Sequence, residues 1–107
     1  MSSSTENCSN QNIEDLRTHA DDATKQLKAL ANVNRLMILC MLSEGELSVT
    51  EMNEMLDLSQ SALSQHLAKL RADNLVKTRR ESQTIYYAIV EGAAKKIINA
   101  LHDHYCA

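Results

Sequence analysis

Cysteine has the widest chemistry of any residue type in this chain, because a thiol can bind a metal, form a disulfide or be oxidised. The sequence contains three cysteines, Cys8, Cys40 and Cys106, which lie far apart and include no Cys-x-x-Cys pair. Their odd number and wide spacing argue against a disulfide framework and a zinc finger, so a reducing cytoplasm is the expected location. A lone cysteine in an apolar helix, such as Cys40, is more often a small core residue than a reactive thiol.

The segment 59–72 contains a second set of candidate functional residues, whose amide and hydroxyl side chains can form hydrogen bonds. At 100° per residue its leucines share one side of a helix, and Ser61 and Gln65 point away from that side. A surface helix with a small, amide-bearing outer face fits the DNA major groove, where Gln side chains donate and accept hydrogen bonds at base edges. The alternative is a solvent-exposed polar helix that binds nothing.

Charge is distributed unevenly along the 107 residues, although the formal net charge is −3. Residues 1–58 hold 4 basic and 10 acidic side chains, residues 59–87 hold 5 and 2, and residues 88–107 hold 2 and 2. Phosphate attraction acts over about 8–10 Å at physiological salt, so local charge matters more than the total. Residues 59–87 are therefore the candidate DNA surface, and its cations include Lys69, Lys77, Arg79 and Arg80.

Two predicted helices precede this surface. An apolar stripe predicts the first, over residues 13–30, and can face the chain's own core or a partner subunit. Asn32 can cap the second helix, whose body, residues 36–42, is apolar on every side and is expected at the centre of the core. The stripe of the first helix consists of Leu16, Ala20, Ala23, Leu27 and Leu30.

Two further helices have strong start signals. Ser48 and Glu51 form a capping box for a helix over about 48–56, and Ser59 caps a helix over about 59–72. The residues between them leave room only for a tight turn, which is the spacing of a helix–turn–helix.

The pattern then changes to that of strands. Residues 75–80 and 84–89 are rich in β-branched and aromatic side chains and predict a hairpin. Its joining segment 81–83 lacks an Asn-Gly or Asp-Gly signature, which suggests a longer, more mobile tip. A last helix is expected from about Glu91 to Tyr105. The fold class is thus mainly α with a β-hairpin, a winged helix–turn–helix of order α-α-α-α-β-β-α over residues 12–107, preceded by a disordered tail over residues 1–11.

Three segments resemble the bacterial ArsR-type winged-helix repressors: residues 29–39, 46–49 and 58–67. The resemblance runs from about residue 25 to residue 106. It implies a homodimer formed by the first and last helices, with each recognition helix in a major groove of a palindromic double-stranded operator. It also implies that the regulator acts as a repressor or as an anti-silencer. Transferred by match, the base-contacting set is Gln60, Ser61, Ser64 and Gln65, while Lys69, Lys77, Arg79 and Arg80 complete the expected DNA-binding set.

The same resemblance suggests what the regulator senses. The arsenic and cadmium sensors of the family use a Cys-x-Cys in the third helix, where this chain has Ser48-Val49-Thr50, so that metal site is absent. Cys40 and Cys106 match instead the dithiol branch of the family. This match implies that reactive sulfur or oxygen species oxidise or persulfidate both thiols, with a disulfide or polysulfide bridge as the product. We assign Cys40 and Cys106 to redox sensing and expect no metal and no cofactor.

Other functions are kept as alternatives. A metal-responsive repressor would hold zinc at the dimer interface, but His102 and His104 diverge by about 200° on a helix and cannot share one ion without distortion. A protein-interaction module would use the winged helix without DNA. An enzyme is not expected, because the sequence has no Gly-rich phosphate loop and no cluster of nucleophile, base and orienting group. A membrane span is not expected either, since the longest uncharged apolar stretch, residues 36–42, is far shorter than about 20 residues.

Overall fold

The computed structural model describes residues 12–106, which form five helices and three short strands. The predicted tail over residues 1–11, with Cys8, lies outside the described residues, as does Ala107. The elements in chain order are α1 (Ile13–Leu30), α2 (Val33–Leu42), β1 (Leu47–Ser48), α3 (Val49–Met55), α4 (Gln60–Ala72), β2 (Val76–Glu81), β3 (Thr84–Ile89) and α5 (Ala93–Cys106).

Polar caps explain where the first four helices begin. The side chains of Asn12, Asn32, Ser48 and Ser59 each accept a hydrogen bond from the backbone N–H three residues later. At Ser48 the bond is reciprocal, because the Glu51 carboxylate also accepts from the Ser48 N–H at 2.9 Å. The predicted helix boundaries are therefore confirmed to within one residue at these four starts.

The strands form one antiparallel sheet in the order β1-β3-β2. Strand β3 lies in the centre and pairs Tyr87 with Leu47 of β1 and with Thr78 of β2. The predicted order α-α-α-α-β-β-α lacked β1, so the observed order is α-α-β-α-α-β-β-α. The β2–β3 hairpin with helices α3 and α4 gives the predicted winged helix–turn–helix.

The tip of the hairpin differs from the prediction. Glu81 pairs with Thr84, which leaves a two-residue turn of Ser82 and Gln83 in place of a long, mobile loop. Ser82 has φ 58°, the positive value that the first residue of a type II′ turn requires and that glycine usually supplies. Helix α5 also begins two residues later than expected, at Ala93, because Gly92 has φ 157° and is not helical.

The core lies between α2, α4, α5 and the sheet. Three residues of α2, Ile38, Leu39 and Leu42, are buried, as predicted for the centre of the core. One side of α2 nevertheless stays open, since Met37 is 48% exposed. The most deeply buried side chains from the other elements are Met52, Leu63, Leu67, Leu70 and Ile98. None of the helices within residues 12–106 has the length and apolarity that crossing a membrane would require.

Candidate nucleic-acid interface

Helix α4 is fixed in its rotation by three buried leucines, Leu63, Leu67 and Leu70. Its start is fixed by Ser59, whose hydroxyl oxygen accepts from the Ala62 N–H at 3.1 Å. The Ser59 and Ser61 hydroxyls also share a hydrogen bond of 3.2 Å, so one candidate DNA-contacting side chain is tied to the cap. Together these contacts hold one side of α4 in the core and leave the opposite side to solvent.

The exposed side of α4 contains every predicted residue of this helix. We call it the outer face of α4 and define it by Gln60, Ser61, Ser64, Gln65 and Lys69, all of which are exposed. Amides, hydroxyls and one cation on a single convex surface can hydrogen-bond to base edges and to phosphates. The structure thus brings these five predicted residues together on one helix.

The wing, β2–β3, presents its three predicted cations on two different faces. Successive residues of a strand point to opposite sides, so Arg80 shares a face with the buried Val76, whereas Lys77 and Arg79 share the other face. The face of Val76 packs against the core and adjoins α4. Arg80 therefore points to the side of the wing on which α4 lies, and Arg79 points away from it.

Arg79 is already occupied by two carboxylates. Its Nε and Nη2 donate to the two oxygens of Glu46 at 3.3 and 2.5 Å, and its Nη1 donates to Glu81 at 2.6 Å. The guanidinium also lies 4.7 Å from the centre of the Tyr86 ring, a cation–π distance. The hydrogen bond from Arg79 lowers the pKa of Glu46, so this pair stays ionised at neutral pH.

A cleft of about 390 Å³ separates α4 from the wing. It is lined by Ser64, Ala68 and Arg71 of α4 and by Tyr87 of β3, among others. Arg71 is exposed there and lies outside the predicted DNA-binding set. The helical spacing contained the signal, because a residue seven positions after Ser64 returns to within about 20° of it.

The two candidate sensor cysteines are on helices that pack against each other. Cys40 is half-buried on α2, Cys106 is exposed at the end of α5, and both are free thiols. Burial raises the pKa of the Cys40 thiol, and the neighbouring charge of Cys106 raises that pKa further. Cys40 is therefore mostly protonated at neutral pH and is a poor nucleophile on its own.

The histidines of α5 are not part of a metal cluster in this protomer. His102 is half-buried, whereas His104 is exposed and packs edge to face on Tyr105 with ring centres 4.6 Å apart. Within residues 12–106, no group of three His, Cys, Asp or Glu side chains is placed to hold a metal ion.

Comparison with known proteins gives one family model and several close relatives. The model described as "Bacterial regulatory protein, arsR family" matches residues 32–78. The transcriptional activator HlyU of Vibrio cholerae is 50% identical over 95 residues, which cover 89% of this chain and 88% of HlyU.

Solved structures agree with the sequence comparison. Reduced HlyU from Vibrio cholerae aligns with a TM-score of 0.84 and 49% identity, covering 89% of this chain and 100% of that one. The transcriptional repressor BigR from Xylella fastidiosa aligns with a TM-score of 0.81 and 38% identity, covering 89% and 94%. These relatives regulate transcription and are not enzymes, and they include an activator and a repressor.

Proposed function

Since the chain belongs to the ArsR family of bacterial regulatory proteins and is a winged-helix regulator of transcription, we propose that it binds operator DNA as a homodimer under control of a dithiol. The observation that carries the DNA-binding part is the outer face of α4, a rigid and exposed row of amides and hydroxyls. The dithiol part rests on the placement of Cys40 and Cys106 on two helices in contact.

The homodimer is supported by apolar side chains that one protomer leaves exposed. On α1, Ile13, Leu16 and Leu27 are 72%, 46% and 51% exposed, and on α5, Tyr105 is 78% exposed. Helices α1 and α5 pack against each other within the protomer, so one partner can contact both helices. A second copy of the chain covers these side chains, and the two-fold symmetry places two α4 helices in successive major grooves of a palindrome.

Sequence recognition is assigned to the outer face of α4. Gln60 and Gln65 read base edges with their amides, and Ser61 and Ser64 contact bases or phosphates. Lys69, Lys77 and Arg80 attract phosphates, as does Arg71 from the cleft beside the wing. Arg79 stays in the DNA-binding set but has to leave Glu46 and Glu81 before it can bind a phosphate.

The switch begins at Cys106 because this thiol is exposed at the end of α5, whereas Cys40 is half-buried on α2. The Cys106 thiolate attacks a sulfane sulfur of a polysulfide, giving a persulfide on Cys106 and a polysulfide shortened by one sulfur. Cys40 then attacks the Cys106 sulfur, loses its proton and expels hydrosulfide, which leaves a Cys40–Cys106 disulfide. Retained sulfur atoms would give a longer bridge. Either bridge fixes α5 against α2 and changes the separation of the two α4 helices.

The test uses a duplex that the wild-type protein selects from a random-sequence pool. Sodium polysulfide or diamide should weaken binding to this duplex by about 5- to 150-fold, the usual range of coupling between two sites. Cys40→Ser and Cys106→Ser should abolish the response, and Cys8→Ser is the matched control that should keep it. Mass spectrometry of the treated wild type should find one peptide containing Cys40 joined to one containing Cys106.

Different results would overturn different parts of the proposal. If either Cys40→Ser or Cys106→Ser keeps its full sensitivity, the dithiol model is wrong. Loss of binding at near-stoichiometric zinc, without an oxidant, would indicate a metal sensor with a site between protomers. If no duplex is enriched and retention on heparin is insensitive to salt, the winged helix is a protein-interaction module.

A further inference from the structure

A basic pocket of about 420 Å³ lies on the flank of α4 that faces away from the wing. Residues of three helices line it: Lys25, Lys28 and Ala29 of α1, Arg35 of α2, and Lys69 at the end of α4, with Asp73 just after it. The pocket thus has four cations and one carboxylate, in a chain whose total charge is −3. It includes three of the four basic residues within positions 1–58.

One cation of the pocket, Arg35, is held in place by the backbone. The Nε of Arg35 donates to the Ala29 carbonyl oxygen at 2.8 Å, which fixes the guanidinium where α1 ends and α2 begins. Ala29 is buried, so this anchor point belongs to the core. Lys28 lies three residues after Lys25, on the same side of α1. Like charges that line one pocket repel each other, and an anionic ligand would relieve that repulsion.

The place of the pocket relative to α4 indicates which anion it takes. Around α4, Ser64 and Arg71 face the wing, Gln65 points outward, and Lys69 lies toward α1 and α2. A helix in the major groove, which is about 12 Å wide, has a sugar–phosphate strand on either side. The wing supplies cations for one strand, and the basic pocket supplies them for the other.

We propose that the basic pocket binds a backbone phosphate of the operator, on the strand that borders α4 opposite the wing. This inference rests on the proposed DNA binding and extends it to residues of α1 and α2. Lys25 and Lys28 give a mobile pair of donors, Arg35 gives a fixed fork, and Lys69 closes the side next to the bases. Lys25 lies on the opposite side of α1 from the apolar stripe, so a second copy covering that stripe leaves the pocket open.

The test compares two double variants that remove the same charge. Lys25→Gln with Lys28→Gln empties the pocket of its α1 cations, and Arg17→Gln with Lys96→Gln removes two exposed cations elsewhere. Fluorescence anisotropy measures binding of the selected duplex and of an unrelated duplex. The KCl concentration is varied over about 0.05–0.3 M, where phosphate contacts dominate the salt dependence. Circular dichroism verifies that both variants are folded.

The pocket variant should lose about one unit of the log–log salt slope per protomer, and about tenfold or more in affinity near 0.15 M salt, for both duplexes. The control variant should keep the wild-type slope. Asp73→Asn should change the affinity in the opposite direction, because it removes the one carboxylate of the pocket and frees Lys69 from its 3.6 Å ion pair. A gain in affinity cannot arise from misfolding.

Mapping on the DNA identifies the phosphate. A series of duplexes carries a single neutral methylphosphonate, each at a different position. At one position per half-site, this replacement should weaken binding of the wild type. The same replacement should not weaken binding of the pocket variant any further. If the two double variants give the same slope and the same methylphosphonate pattern while wild type binds DNA, the pocket proposal is wrong and the proposed function stands. If wild type binds no duplex, both are wrong. If inorganic phosphate at constant ionic strength saturates the pocket at micromolar concentration and Lys25→Gln with Lys28→Gln leaves the salt slope unchanged, the ligand is a free phosphate and the operator proposal is overturned.

Discussion

Arg79 carries a positive charge but adds little to the positive potential of the wing, because two carboxylates neutralise it. Glu46 and Glu81 hold its guanidinium from both sides, and Tyr86 lies beneath it. The pair with Glu46 joins residues 33 positions apart, so it ties the middle of β2 to the residue just before β1. Any phosphate that recruits Arg79 must first displace a bidentate carboxylate.

Replacement of Glu46 should therefore strengthen DNA binding. In Glu46→Gln the bidentate acceptor is lost and only Glu81 still holds Arg79, so a phosphate competes for Arg79 more easily. Affinity should rise and the salt slope should steepen by up to about one unit per protomer. Anisotropy titrations against KCl measure both quantities. Glu44→Gln is the control, since it removes the same charge from an exposed side chain two positions earlier. Equal effects of the two variants would mean that only net charge matters, and the account of Arg79 would be wrong.

At the scale of elements, the helix starts could be predicted from sequence because caps are local. Asn32, Ser48 and Ser59 each act on a backbone N–H three residues away, and a reader of the sequence can recognise that spacing. Strand β1 could not be predicted, since its two residues become a strand only by pairing with Tyr86 and Tyr87, some 40 positions later. The tight wing turn was missed because Ser82 adopts a backbone conformation usually left to glycine.

The candidate interface likewise has one part that the sequence predicts and another part that it does not. The exposure of Ser61, Ser64 and Gln65 follows from helical spacing, and so does that of Arg71, whereas Gln60 came from the family resemblance. The basic pocket could not be predicted, because Lys28 and Arg35 reach Lys69 only when the α1–α2 corner packs beside the end of α4. Residues 1–58 are acidic on average, and the average concealed this local concentration of positive charge.

The capping box at Ser48 should be worth measurable stability. The Ser48 hydroxyl accepts from the Glu51 N–H at 3.1 Å, and Ser48→Ala removes that acceptor from the start of α3. The free energy of unfolding should fall by about 1 kcal/mol, within a range of about 0.5–2 kcal/mol. Urea unfolding at one fixed protein concentration measures the change. Ser64→Ala, on the exposed middle of α4, should leave stability within about 0.5 kcal/mol of wild type, and Ser48→Thr should recover much of the loss. A neutral Ser48→Ala would show that water replaces the cap.

For the whole molecule, the uneven charge has a consequence for selectivity. A net charge of −3 repels DNA at a distance, while the cations of α4, the wing and the basic pocket attract it at contact. The long-range repulsion weakens nonspecific affinity, so we expect sequence discrimination to depend more on the amides and hydroxyls of the outer face of α4.

Association of two copies should depend on the apolar stripe of α1. Leu16→Glu with Leu27→Glu places two charges on that stripe and should convert the dimer to a monomer, because burying an unpaired carboxylate is costly. Sedimentation velocity gives the mass directly. Thr18→Glu, on an exposed position off the stripe, should leave the dimer intact. A double variant that still sediments as a dimer would place the interface elsewhere.

Helix α1 has 18 residues, yet only Ala29 and Leu30 are buried within its own protomer. A helix with so little tertiary support is only marginally stable in water, because most helical stability in proteins comes from packing of an apolar face. In the proposed homodimer, its first turns are completed by another molecule of the same protein. Dilution of that dimer would remove both the partner and the order of α1, so cellular copy number would set the fraction of chains that are fully folded. We then expect promoter occupancy to rise with roughly the square of copy number while monomers predominate.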